Sequence, residues 1–252
     1  MENLFALSGS VLVVGGTRGI GRAISLRFAR AGASVIANYL RDQKAADDLK
    51  AAAEREGLRI LLCRADVTTP RGIEQIENSI QECKEPLRGL VYCAATGVHR
   101  ELPELTTRHF DFTFSLNVRA FFELTKALLG RFADGSTILA VSSMGGQRAL
   151  PYYSLVGSSK GALEALARHF AVELRPRGIR VNILVPGTVA TDVWKTLPEG
   201  EKRIRAATAR TPAERLVTTE EVAWAAQFLS SNASVGIVGH TLVIDGGAGI
   251  VG

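Results

Sequence analysis

The sequence predicts an α/β fold: one doubly wound parallel sheet of seven strands with helices on both faces. Three observations predict it. Short β-branched apolar runs alternate with stretches of helical periodicity along all 252 residues. The first apolar run ends in a glycine-rich turn that opens directly into a helix. No linker, repeat or low-complexity stretch divides the chain, so a single domain over residues 1–252 is expected. Strands alternating with helices need crossover connections, which are right-handed and cover both faces of a parallel sheet.

Each element has its own signal. Val11–Val14 is a β-branched run closed by glycines, the pattern of a buried strand. Ile20, Ala23, Ile24, Phe28 and Ala31 recur at helical spacing, giving a helix from Gly19 to Ala31 that Gly32 stops. Ser34–Asn38 is the second strand, and Gln43–Arg55 an Ala-rich, charged helix ending before Gly57. Arg59–Cys63, Gly72–Cys83 and Gly89–Tyr92 read as strand, helix and strand. Phe112–Phe132 reads as one long helix, ended by the turn Asp134-Gly135-Ser136. Thr137–Val141 is the fifth strand. A helix covers Leu155–Leu174, with the turn Arg175-Pro176-Arg177-Gly178 after it. Ile179–Leu184, Thr219–Leu229 and His240–Ile244 complete the alternation before Asp245-Gly246-Gly247. Pro186 to Thr218 is irregular and highly charged. A loop this long in a compact domain is usually functional, so a substrate lid is expected over about 188–218.

Composition removes several classes. With 46% hydrophobic and 22% charged residues the chain is globular rather than disordered. No apolar run approaches the ~18 residues needed to span a bilayer, so no membrane role is expected. Thirty basic against 25 acidic residues leave +5, which suits a phosphorylated ligand or an acidic partner. No basic-aromatic stripe or helix-turn-helix pattern appears, so nucleic acid is not expected. Cys63, Cys83 and Cys93 have no CxxC spacing and read as reduced thiols of a cytoplasmic protein. His99, His109, His169 and His240 have no ligand spacing, so no metal is expected and they read as structural. The start MENLFALSGSVLVV lacks the basic region and cleavage site of a signal peptide.

Gly15, Gly19 and Gly21 stand as GxxxGxG between the first strand and its helix. Glycines allow a tight turn, and the helix start offers free N–H groups and the positive end of its dipole, which together capture phosphate. The second strand ends in Asn38-Tyr39-Leu40-Arg41, with no acid before Asp42 to bond ribose hydroxyls. Arg18 and Arg41 could both reach a 2′-phosphate, which favours NADPH (NADP) over NADH. Arg41 could instead be a solvated loop charge. Asp66 could bond the adenine amino group or cap a local turn.

These residues are joined by Asn117 in SLNVRA, Ser142-Ser143, YYSLVGSSK, Pro186-Gly187 followed by Thr191, and the terminal Asp-Gly-Gly. In that order and spacing the chain resembles the short-chain dehydrogenase/reductase family over almost its whole length. The resemblance implies a Rossmann-type domain, a nicotinamide cofactor and commonly a homotetramer. Most of that family has a Tyr four residues before the Lys, but here that position is Val156. Tyr153 lies seven before Lys160. This Tyr-x6-Lys spacing is similar to that of the enoyl-acyl-carrier-protein reductases, and the flanking segments resemble the NADPH-dependent enoyl reductase III. The resemblance implies Tyr153, Lys160, Ser143 and Asn117 as the catalytic set. Lys160 would bond the nicotinamide ribose and support Tyr153 by its charge, Ser143 would orient substrate, and Asn117 would support Lys160 through water. It implies a cofactor set of Gly15, Thr17, Arg18, Gly19, Ile20, Gly21, Arg41, Asp66, Val67, Ala94, Lys160, Pro186, Gly187 and Thr191. Thr96, Tyr152 and Trp194 would face the substrate, Tyr152 being the alternative proton donor. Where the family usually has Asn-Asn-Ala-Gly, this chain has Tyr92-Cys93-Ala94-Ala95, which removes the usual side-chain bracing. Cys93 reads as a packed thiol rather than a nucleophile.

A helix would keep Tyr153 and Lys160 on one face, the Tyr about 4–5 Å further along than a four-residue spacing allows; the alternative is that Tyr153, after Pro151, precedes the helix proper. In carbonyl reduction, hydride and proton arrive at the same C–O bond. In an enoyl thioester, hydride goes to the β carbon and charge develops on an oxygen two carbons away, so a displaced donor suits the second reaction. The expected function is an NADPH-dependent enoyl thioester (enoyl-acyl-carrier-protein) reductase in fatty acid or related acyl-chain synthesis. A carbonyl reductase or alcohol dehydrogenase of the same fold, or a cofactor-sensing protein without turnover, are the alternatives. Trp194, Leu197 and Ile204 with Lys195, Lys202, Arg203, Arg205 and Arg210 would suit an acyl chain delivered by an acyl-carrier protein or as an acyl-CoA. A solvated lid helix is the plainer reading of the same segment.

Overall fold

All five residues of Ser10–Val14 (β1) are buried, which a strand achieves only when both faces of its sheet are covered. Side chains alternate along it. Leu12 and Val14 enter one apolar cluster and Val11 and Val13 a second. In the computed structural model, which describes residues 3–189 and 200–251, β1 lies inside a seven-stranded parallel sheet of order β3-β2-β1-β4-β5-β6-β7. The other strands are β2 (Ser34–Tyr39), β3 (Ile60–Arg64), β4 (Leu87–Tyr92), β5 (Phe132–Val141), β6 (Arg180–Pro186) and β7 (Thr241–Ile244).

Three helices cover one face: α1 (Gly19–Arg30), α2 (Gln43–Arg55) and α8 (Thr219–Ser230), through Ile24, Phe28, Leu49 and Ala226. The other face is covered by α3 (Pro70–Glu82), α5 (Ala120–Ala127) and α6 (Ser154–Leu174), through Ile76, Phe121, Leu124 and Leu163. The chain runs outward from β1 to β3 and then returns to lay β4 beside β1. That reversal opens a crevice at the carboxyl ends of β1 and β4, where ligands bind in open α/β sheets.

The structure corrects four boundaries. α3 starts at Pro70, not Gly72, because the Thr69 hydroxyl accepts from the Gly72 N–H and Pro70 suits a first turn. The long helix expected over 112–132 is α4 (Thr107–Phe114), a π-helical turn at Ser115–Arg119, α5, and a 3₁₀ turn at Leu128–Gly130. It starts early because Thr106 and His109 form a reciprocal cap. Phe132 already pairs with Leu87, so Asp134-Gly135-Ser136 lies within β5 as an irregularity rather than before it. Within the expected lid, α7 (Gly200–Ala209) is helical, and Lys202, Arg205 and Arg210 are exposed.

Candidate active site

The crevice begins at the turn after β1. Gly15 has φ +74, and a Cβ on it would lie 3.0 Å from the Ala94 backbone. A Cβ on Gly21 would lie 2.0 Å from the Gly15 carbonyl. The turn is therefore closed against the chain that follows β4. Its other ties are Gly16 N–H to the Asn38 carbonyl, 2.9 Å, and Ser25 Oγ to the Gly16 carbonyl, 2.9 Å. Thr17 is buried, Gly19 and Arg18 are exposed, and Ile20 is half-buried. Arg18 is the N-cap of α1 and its side chain makes no cap bond, so the first N–H groups of the helix are left to an anion. These features fit the phosphates of a dinucleotide.

Arg41 is exposed just past β2, and the Asp42 carboxylate accepts from Ala45 N–H at 3.0 Å, capping α2. Asp66 takes the local-turn role weighed above, its Oδ1 accepting from Thr68 N–H at 3.0 Å and Thr68 Oγ1 at 2.6 Å. Val67 is buried beside it. Pro186 ends β6, and Gly187 N–H donates to the Ile244 carbonyl at 2.8 Å. Thr191, Trp194, Lys195, Leu197 and the Arg203 side chain lie outside the described residues.

Tyr153 is not on the face of α6 but is its N-cap residue, with φ −117 and ψ 11. Its carbonyl accepts the Gly157 N–H at 2.7 Å, so the helix starts from it. Its Oη lies 3.3 Å from Ser143 Oγ. The His99 ring packs on it at 5.2 Å between centroids and 55° between planes. On the Gly145 side there is no room for a side chain, since a Cβ there would come 2.3 Å from Tyr153 Cε1. Tyr152 has φ +60 and is 54% exposed, whereas Ser143 Oγ lies against Tyr153 Oη. Val156 is buried, and a Cβ on Gly97 would meet its Cγ2 at 2.1 Å, so the position one turn before Lys160 is filled.

Lys160 is buried with Nζ donating to the Val141 carbonyl at 2.8 Å. Burial pushes it down to about 8, against the opposing pull of Cys93 and Glu164. Burial pushes the Cys93 thiol up to about 11, which agrees with a packed thiol.

Asn117 is buried in the π-helical turn. Its Oδ1 accepts from Thr96 N–H at 2.9 Å, and its Nδ2 donates to the Thr96 carbonyl at 2.8 Å and to Ser159 Oγ at 2.9 Å. It thus fixes Thr96 and the neighbour of Lys160. Tyr92 braces the end of β4 in its own way: its hydroxyl donates to the Leu116 carbonyl at 2.5 Å, and its ring meets Phe121 edge-on at 5.3 Å. Both braces use the π-helical turn, a feature often found at functional sites. Three residues escaped the sequence reading: Tyr92 as a brace, His99 against Tyr153, and Glu164. Glu164 had a signal, being a charge four residues after Lys160 on the stripe that buries Val156, Leu163 and Ala167.

A family model described as enoyl-(acyl carrier protein) reductase matches residues 14–249. The chain belongs to the short-chain dehydrogenase/reductase family. This oxidoreductase is 33% identical over 242 residues to 1-cyclohexenylcarbonyl-CoA reductase of Streptomyces collinus, covering 95% of this chain and 86% of that one. It superposes on a dehydrogenase/reductase from Sinorhizobium meliloti 1021 with a TM-score of 0.91 at 32% identity, over 97% of both chains. A gluconate 5-dehydrogenase from Burkholderia cenocepacia J2315, in complex with NADP and tartrate, gives 0.89 at 25% identity over 99% of both chains. Among the described residues of this short-chain dehydrogenase/reductase, no helix is long and apolar enough to cross a membrane, and no cluster could hold a metal.

Proposed function

We propose that this oxidoreductase is an NADPH-dependent enoyl thioester reductase, acting on a trans-2-enoyl group carried by an acyl-carrier protein or coenzyme A. One observation carries the reading: Tyr153 stands at the head of α6, seven residues before Lys160 and 3.3 Å from Ser143, while the protonless Val156 fills the turn between. The nicotinamide dinucleotide, when bound, supplies the hydride. The glycine turn and the start of α1 hold its phosphates, and Arg18 and Arg41 take the 2′-phosphate. The acid nearest the end of β2, Asp42, is committed to capping α2, which supports NADP over NAD, as does the NADP in the gluconate 5-dehydrogenase complex.

Hydride addition at the β carbon moves negative charge onto the thioester oxygen. Tyr153 Oη and Ser143 Oγ are the donors that meet it, as in an oxyanion hole. Lys160 holds the cofactor ribose and keeps a positive charge near the phenol. The relative from Streptomyces collinus supports the substrate class, since its name spells an α,β-unsaturated acyl-CoA. The exposed Lys202, Arg205 and Arg210 suit the phosphates of coenzyme A or an acidic carrier. A second reading, reduction of a carbonyl, is favoured by the likeness to gluconate 5-dehydrogenase.

The test is NADPH oxidation with crotonyl-CoA, crotonyl-carrier protein and acetoacetyl-CoA. Turnover of the crotonyl substrates is expected, and turnover of acetoacetyl-CoA alone would replace the first reading by the second. Tyr153→Phe is expected to lose turnover by at least about 100-fold while still binding NADPH. A fully active Tyr153→Phe would remove Tyr153 from the donor role.

A further inference from the structure

Glu164 is 4% exposed, yet nothing in the chemistry above uses it. A carboxylate inside a fold is costly unless it is hydrogen-bonded and paired, so its partners indicate its purpose. Ser142 Oγ donates to Glu164 Oε1 at 2.6 Å. Gln147 Nε2 donates to Oε2 at 3.2 Å, and Arg168 Nη1 lies 4.0 Å from the same oxygen. Gly146 passes beneath it, where a Cβ would come 2.8 Å from Oε1.

Ser142, Gly146 and Gln147 enclose the short stretch that carries Ser143 and Gly145. Ser143 is the partner of Tyr153 Oη, and Gly145 backs the Tyr153 ring. One turn earlier on the same helix, Lys160 Nζ bonds the carbonyl of Val141, the residue just before Ser142. Helix α6 therefore grips the end of β5 and the loop after it at two successive turns.

We propose that Glu164 is a positioning residue of the active site, its carboxylate clasping both ends of the Ser142–Gln147 loop so that Ser143 and Gly145 are set against Tyr153. The inference rests on Tyr153 being the proton donor, and not on whether the substrate is an enoyl thioester or a ketone.

The experiment measures steady-state kinetics with NADPH and whichever of crotonyl-CoA or acetoacetyl-CoA the wild-type protein reduces. Glu164→Gln keeps the acceptor for Ser142 but turns an amide NH₂ toward that of Gln147. It is expected to lower kcat about tenfold with the NADPH KM changed less than about twofold, because misplacement of a donor costs chemistry rather than cofactor binding. Adding Gln147→Glu exchanges carboxylate and amide and is expected to restore kcat to within about threefold of wild type, a rescue a general packing role would not give. A wild-type kcat in Glu164→Gln, or a loss that the exchange leaves unrestored, overturns the inference. Should Glu164→Gln fail to fold, Gln147→Ala at the exposed end of the loop decides instead: kcat reduced about threefold at constant NADPH KM supports the clasp, and an unchanged kcat refutes it. Tyr153→Phe in the same assay separates the two ideas. If it stays active the donor reading fails; if it is dead while Glu164→Gln is active, only the clasp fails.

Discussion

Replacing Asn117 by Ala tests whether the loop after β4 is held from the π-helical turn. Asn117 is fully buried and makes three hydrogen bonds, two to the backbone of Thr96 and one to Ser159 Oγ. The substitution removes all three and opens a small cavity. An ordinary internal hydrogen bond contributes about 1 kcal/mol net, and a buried group left unpaired costs about 1–3 kcal/mol. Thr96 is only half-buried, so water recovers part of that loss. The expected destabilisation is therefore about 2–4 kcal/mol, read as a lower urea midpoint at constant slope. The catalytic effect should be separate. Thr96 and Gly97 lead to His99, which packs on Tyr153, and Gly97 lies against Val156. A released loop should lower kcat about tenfold, with a smaller change in NADPH affinity. Because Ser159 shares the network, Asn117→Ala and Ser159→Ala should couple by more than about 0.5 kcal/mol in a double-mutant cycle. A stability loss under about 0.5 kcal/mol together with wild-type kcat would refute the brace.

Burial holds Lys160 at about 8 in the fold against 10.5 as its ordinary value, so between these pH values the unfolded chain binds the extra proton. Stability of the cofactor-free protein should then rise with pH across that window, relative to Lys160→Met, by on the order of 3 kcal/mol, and be lowest below pH 8; parallel stability curves for the two proteins would contradict this. Arg180 is buried in β6 and donates to the carbonyl of Leu229 in the last turn of α8 and to those of Ser231, Ser234 and Ile237 past its end. Arg180→Met should cost about 3–5 kcal/mol in urea unfolding, since four carbonyls lose a charged donor; a cost below about 1 kcal/mol would mean that water replaces it. Gly145→Ala forces a Cβ into the Tyr153 ring, which His99 backs from another side. It should cost about 1–3 kcal/mol and most of the activity, whereas Gly130→Ala, with open space around it, should cost neither.

The strands were legible because each is a short apolar run ended by glycine or a turn, and local pattern suffices for that. The parallel sheet with helices on both faces followed from the alternation, whereas the strand order β3-β2-β1-β4-β5-β6-β7 comes from the structure. The glycine turn was legible for the same reason: Gly15 and Gly21 are required by contacts within a few residues of themselves or with one neighbouring strand. The interrupted helix at 107–130 was not legible. Phe110, Phe114 and Phe121 keep helical spacing through it, and periodicity cannot report one added residue in a turn. What stabilises the π-helical turn is tertiary: Tyr92 bonding the Leu116 carbonyl, and Asn117 bonding Thr96 and Ser159. Glu164 was hidden differently, as an ordinary helical acid whose partners Ser142 and Gln147 lie 22 and 17 residues away in sequence.

The replacement of an asparagine pair by Tyr92-Cys93 bears on how the site is built. A strand end braced by its own polar side chains holds its loop locally. Here the brace has moved: Tyr92 reaches sideways to the π-helical turn, and that turn returns Asn117 to Thr96, the fourth residue after Tyr92. The loop is thus held through α4 and α5 rather than from its own strand. The same turn also reaches α6 at Ser159, next to Lys160. One local expansion of a helix therefore ties together the loop carrying His99, the helix carrying Lys160, and the end of β4. Glu164 adds the fourth side by tying α6 to the loop carrying Ser143. Tyr153 lies inside this frame, at the start of α6, between His99 and Gly145. Its place at the head of α6 is consequently a property of the frame, and so is the fit of Val156 one turn before Lys160: its side chain packs so closely on Gly97 that a Cβ there would clash with it, which makes Gly97 as fixed a part of the frame as the tyrosine.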